Sequence, residues 1–109
     1  MLTREILDNL GFTSYKSGPF NDPADEYWQK CYRDSEGNKM FFLDVKHYTI
    51  IHPITHADLG GYEINTQLYR RGSHDAIDIK FHDDNIDNAL EIINTLFDMG
   101  LVENYENRR

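Results

Sequence analysis

The sequence predicts an α+β domain: an N-terminal helix, a four-stranded antiparallel meander sheet, and a C-terminal helix, with both helices packed on one face of the sheet (α-β-β-β-β-α). Three observations lead there. Ile77, Ile79 and Phe81 alternate with Asp78, Lys80 and His82, which is the period of a half-buried strand. Ile86, Ala89, Leu90, Ile93, Leu96 and Phe97 then recur at helical spacing and make one apolar face. Upstream, three further strand-like runs are separated by short connections, which make neighbouring strands antiparallel. Two one-sided helices need one apolar sheet face to cover, so a two-layer sandwich is the simplest packing.

Each element has its own signals. Thr3 caps the first helix, Ile6, Leu7 and Leu10 form its apolar edge, and Gly11 closes it with Phe12 returning onto Leu7. Residues 13–25 hold Ser17-Gly18-Pro19 and Asn21-Asp22-Pro23 and read as loop, with one helical turn near Pro23. Residues 27–33 read as a strand, and Gly37 sits in the hairpin loop that follows. The strand at residues 39–51 is long enough to be bent or bulged. Its start, Met40-Phe41-Phe42-Leu43, is apolar on both faces, as in a strand covered from both sides. Pro53 opens a single helical turn that Gly60-Gly61 ends. Residues 62–71 alternate cleanly, and Gly72-Ser73 reads as a tight two-residue turn. Asp83, Asp84 and Asn85 supply caps for the last helix, and Gly100 ends it with Leu101 folding back toward Leu96. The expected core joins Ile77, Ile79, Phe81, Leu90, Ile93 and Phe97. The other sheet face stays open and carries Glu63, Asn65, Gln67, Tyr69, Asp78, Lys80 and His82.

The 109 residues fit a single domain spanning 1–109, with a polar tail fraying from about residue 103. Six Phe, seven Tyr and one Trp supply large pieces for a small core and argue against disorder. The one cysteine, Cys31, has no internal disulfide partner, which suits a reducing cytoplasm, and the first ten residues lack the apolar run of a signal peptide. No stretch is apolar enough to span a membrane. The net charge of −8 disfavours direct contact with nucleic acid or anionic lipid. Residues 75–106 hold nine acids and one base, so this segment alone matches the charge of the whole chain.

Few constellations carry chemistry. His47, His52 and His56 fall close together, but Pro53 breaks the helix that would bring His52 and His56 onto one face for a metal. His74, Asp78 and His82 share a strand face at intervals of roughly 13 Å, too far apart for one metal or one dyad. Cys31 has no base placed beside it, and no nucleophile elbow or phosphate loop occurs. No catalytic residue, metal site or cofactor is expected. The strongest surface signal is the last helix, where Asp84, Asp87, Glu91 and Asp98 fall near one stripe without Lys or Arg. The second choice is the open sheet face around Glu63, Gln67, Tyr69 and Lys80. Surplus Tyr and Trp are also residue types favoured at protein interfaces.

Trp28-Gln29-Lys30-Cys31-Tyr32-Arg33-Asp34, then Gly37 and Lys39-Met40-Phe41-Phe42-Leu43-Asp44-Val45, and Tyr62 to Tyr69 leading into a strand and an acidic helix, resemble short uncharacterised proteins of bacteriophages and other mobile elements. The resemblance covers roughly residues 27–105 and transfers no site residue. It implies that the chain binds host or virion proteins rather than catalysing a reaction, and the leading expectation is a cytoplasmic accessory protein or inhibitor of a host enzyme or defence complex, in the host cytoplasm if the chain is phage-encoded. Three readings stay open: a non-catalytic module for a protein with a basic surface, a nucleic-acid mimic using the acidic helix, and a metal-dependent enzyme using His47, His52 and His56.

Overall fold

A computed structural model describes residues 2–16, 26–48, 50–57, 59–73 and 75–108. The elements run α1 (Arg4–Asn9), β1 (Thr13–Lys16), β2 (Glu26–Arg33), β3 (Lys39–Tyr48), β4 (Gly61–Arg70), β5 (Ala76–Phe81), α2 (Ile86–Asp98) and β6 (Val102–Glu103), then a 3-10 turn at Tyr105–Arg108. The sheet is antiparallel, in the order β1-β2-β3-β4-β5, with β6 paired to β4. The four expected strands are there, but the sheet is larger than a four-stranded meander.

Two strands correct the sequence expectation. β1 occupies residues read as loop, because four residues among turn signals show no usable period. What makes it a strand is distant in sequence. The Tyr15 ring stacks on Tyr27 at 5.3 Å, and the Ser14 hydroxyl donates to the buried carboxylate of Glu26 at 2.9 Å. Glu26 also pairs with Arg4, so one carboxylate ties α1, β1 and β2 together. β6 falls at the start of the segment read as tail. Val102 is buried, Tyr105 meets Phe42 edge-on at 5.1 Å, and Asn104 donates to Asp34 at 3.0 Å. The helical turn expected near Pro23 lies outside the described residues.

β6 has room because β3 leaves β4. The β3–β4 ladder runs from Tyr48 opposite Gly61 to Leu43 opposite Thr66. There the buried Thr66 hydroxyl donates to the Phe42 carbonyl at 2.7 Å. Beyond that fork, Tyr69 faces Ala76 of β5 on one edge and Glu103 of β6 on the other. The expected bulge is present: Tyr32 faces Phe41 while Arg33 faces Lys39, leaving Met40 as the extra residue.

The core is one cluster. Leu7 from α1 and Ile86, Ala89 and Ile93 from α2 pack with Trp28, Phe41, Leu43, Val45, Ile64 and Leu68 of the sheet. Of the expected core, Ile93 is fully buried, while Ile79, Phe81, Leu90 and Phe97 pack partly buried against the cluster. Ile77 is 38% exposed, since β5 is the last strand of the sheet. Both helices end as their sequences suggest, with Gly11 and Gly100 at φ 87° and 72°. Phe12 N–H donates to Leu7 at 3.0 Å and Leu101 N–H to Leu96 at 3.1 Å, closing the final turns. Thr3 and Asn85 are the N-caps, accepting from Ile6 and Asn88.

Two connections differ from expectation. Five residues, not two, separate β4 from β5, and Arg70 N–H donates to the Asp75 carbonyl. Pro53 begins a turn rather than a helix: His52 N–H donates to Ala57 and His56 N–H returns to His52, with His56 in the left-handed region at φ 60°.

Candidate functional site

The acidic helix divides as its periodicity requires. Ile86, Ala89 and Ile93 face the sheet, and Asp87, Glu91 and Asp98 are exposed. α2 contains no Lys or Arg. Asp84 stands apart from the other three, because its carboxylate accepts the Leu2 N–H at 3.1 Å and so anchors the chain's start to the start of α2. The charge of Asp87 is nonetheless felt on the sheet: burial pushes the Tyr32 hydroxyl up from its ordinary value, and the Asp87 carboxylate adds to the shift. The stripe is therefore three outward acids with one structural acid at its head.

The opposite face of the sheet has a different character. Register places Gln29, Asp44, Asn65 and Lys80 in one row across four strands. Lys80 pairs with Glu63 at 2.8 Å, and Gln67 donates to Asp78 at 3.1 Å while accepting from the Tyr69 hydroxyl at 2.8 Å. The Glu63 carboxylate holds the Lys80 ammonium above its ordinary value by hydrogen bond and charge. Glu63, Asn65, Gln67, Asp78 and Lys80, with Asp44 and Lys46, line an open concavity of about 530 Å³. The structure thus joins Glu63, Gln67 and Lys80 in one place. Tyr69 lies in the concavity beside it, about 380 Å³, with Gln29, Phe42, Asp44, Gln67 and Tyr105.

Asp44 belongs to both concavities. It accepts from the Gln29 amide at 2.8 Å, and burial pushes its carboxyl above the usual value, outweighing that hydrogen bond. Its signal in sequence is a lone carboxylate inside the run Met40 to Val45. Its neighbour Tyr105 has no such signal, since it reaches the sheet only through the β6 fork.

Among the described residues the histidines are not brought together as a metal site. His47 lies against the Tyr62 ring at 5.1 Å, and His52 Nδ1 accepts from the backbone N–H of Ile54 and Thr55, both at 3.2 Å, inside its own turn. Among the described residues no three His, Cys, Asp or Glu side chains converge as metal ligands. His74 lies outside the described residues, and His82 follows β5 rather than sharing its ladder. Cys31 is half-buried on the open face, opposite Phe42.

One surface escapes the sequence reading altogether. Beyond the β3–β4 ladder the connection exposes Ile50, Ile51, Ile54 and Leu59, with Ile54 81% exposed. Their apolar character is visible in the sequence, but their exposure follows from the ladder ending at Tyr48, before residues read as strand. Among the described residues no helix is long and apolar enough to cross a membrane. No protein-family model, curated protein or solved structure matches the chain.

Proposed function

We propose that this chain is a small non-catalytic binding module that engages a protein with a basic surface through the outer side of α2. The observation that carries the reading is that Asp87, Glu91 and Asp98 face solvent on a helix with no basic residue. Like charges at i, i+4 such as Asp87 and Glu91 destabilise an isolated helix by about 0.2–0.5 kcal/mol, and Asp98 stands at the end where the helix dipole disfavours an acid. A stripe that is unfavourable for the helix yet exposed to a partner fits a role in electrostatic association. A host protein as that partner rests on the sequence resemblance alone.

Immobilised parent protein and an Asp87→Lys/Glu91→Lys/Asp98→Lys variant test this against a lysate of the source cells, at low and high salt. The reading expects at least one protein that the parent retains at low salt, releases as salt rises, and that the variant does not retain. Equal capture by a variant of unchanged circular dichroism would reduce the stripe to solvated surface.

A further inference from the structure

The corner formed by Phe42, Tyr69 and Tyr105 around Asp44 is unrelated to the α2 stripe. It arises from the fork in the sheet. Phe42 points to the open face because Phe41 and Leu43 on either side of it are buried in the core. β6 then carries Tyr105 across the gap between β3 and β4. The Tyr105 ring stands at 89° to Phe42, with centroids 5.1 Å apart, and at 50° to Tyr69 at 6.0 Å. Tyr69 is the least exposed of the three, and its hydroxyl is held by Gln67 at 2.8 Å. Gln29 fixes Asp44 at the rim. These six residues line the concavity of about 380 Å³, and none of them is Lys or Arg.

The chemistry of that lining is one-sided. Aromatic faces carry negative quadrupole charge, and rings set at steep angles present that charge from more than one direction. Asp44 adds a carboxylate that burial already disfavours and that a cation would compensate. A bare metal ion is a poor match, since one carboxylate is too few oxygen ligands. A cation with an apolar coat and weak hydration matches both the rings and the acid. We propose that this corner binds a quaternary or alkylated ammonium group, either on a free small molecule or on a methylated lysine side chain of a protein.

The test is a heteronuclear NMR titration of the intact chain with three probes: tetramethylammonium, the N-acetyl amide of trimethyllysine, and the neutral tert-butyl isostere of the latter. The expected result is saturable amide shifts centred on Gln29, Asp44, Gln67 and Tyr105 with the cationic probes, and binding of the neutral isostere weaker by about tenfold or more. Tyr105→Ala and Asp44→Asn should each weaken cation binding to a similar degree, while Tyr105→Phe, which keeps the ring, should retain it. Tighter binding of the trimethyllysine probe than of tetramethylammonium identifies a protein side chain as the source. Equal binding of the two identifies a free small molecule. The proposal is overturned if neither cation gives saturable shifts in these residues, if the neutral isostere binds as well as its cationic counterpart, or if Asp44→Asn, with an otherwise unchanged spectrum, binds as the parent does.

Discussion

The two faces of this molecule treat charge in opposite ways. On the open side of the sheet, the strand register sets Glu63 near Lys80 and Asp78 beside Gln67, and the described contacts satisfy them internally. On the outer side of α2, Asp87, Glu91 and Asp98 are exposed, and the helix itself holds no Lys or Arg to pair with them. A sheet brings polar side chains from different parts of the chain into contact, so its face can neutralise itself. A helix surface has only its own neighbours three and four residues away, and for Asp87 and Glu91 those include each other and no base. The difference separates charges that the fold pairs internally from charges that it leaves facing solvent. Asp44 is the exception on the sheet side, an acid with an amide partner but no described ion pair, in an environment that disfavours its charge.

The acidic side of α2 keeps a fixed orientation because α2 is held against the sheet, and Ile93 is a residue that holds it. It is fully buried among sheet side chains. Ile93→Ala should cost about 2–5 kcal/mol through lost transfer energy and the cavity left behind. Denaturant unfolding measures it. A loss below about 1 kcal/mol would mean that the helix does not depend on this contact, and that its acidic side has no fixed orientation.

Ile93 also marks where sequence reasoning is strongest. α2 and its caps are legible because the signals are local: period, Asn85 before the first turn, Gly100 after the last. β1 and β6 are not, because their cause is non-local. Ser14 becomes strand by meeting Glu26, and Val102 by filling the edge that β3 leaves at Thr66. The candidate sites divide in the same way. The acidic stripe is visible from spacing on one helix. The aromatic corner joins Phe42, Tyr69 and Tyr105, which no short-range pattern connects. Asp84 shows the limit in the other direction: it lies on the stripe by periodicity, yet it serves the fold by binding Leu2.

A second prediction concerns Asp44. Burial raises its carboxyl above the ordinary value of 3.8, so the folded chain keeps a proton that the unfolded chain has already released. The folded state is therefore favoured by this group below the ordinary carboxylate range, and that advantage is lost as pH rises through the raised value. Asp44→Asn removes the dependence and keeps an oxygen for Gln29. Near neutral pH it should melt at a higher temperature than the parent, and the gap should close as pH falls below about 4. If it also loses ammonium binding, stability and binding will have moved in opposite directions at one residue, as expected where a disfavoured charge is kept for a ligand. A variant less stable than the parent at neutral pH would mean that the carboxylate is structural.

The smallest expected effect lies on the outer side of α2. Reversing all three acids replaces one like-charged stripe with another, so its stability is a poor guide. Glu91→Lys alone is cleaner. It converts the repulsive Asp87–Glu91 neighbours into an attractive Asp–Lys pair, with the acid N-terminal to the base, which is the favourable order at i, i+4. The expected gain is a few tenths of a kcal/mol in unfolding free energy, screened away as salt rises. Sheet-side charges offer a contrast, since Lys80→Ala removes an existing partner from Glu63 and relieves no repulsion. The same Glu91→Lys change should slow association with a basic partner, and the slowing should shrink at high salt. A stability gain without slower association would leave the stripe unfavourable for the helix and unused by the partner. Slower association with no gain would mean that Asp87 and Glu91 are already too well solvated to repel, and that their arrangement matters only to what binds them.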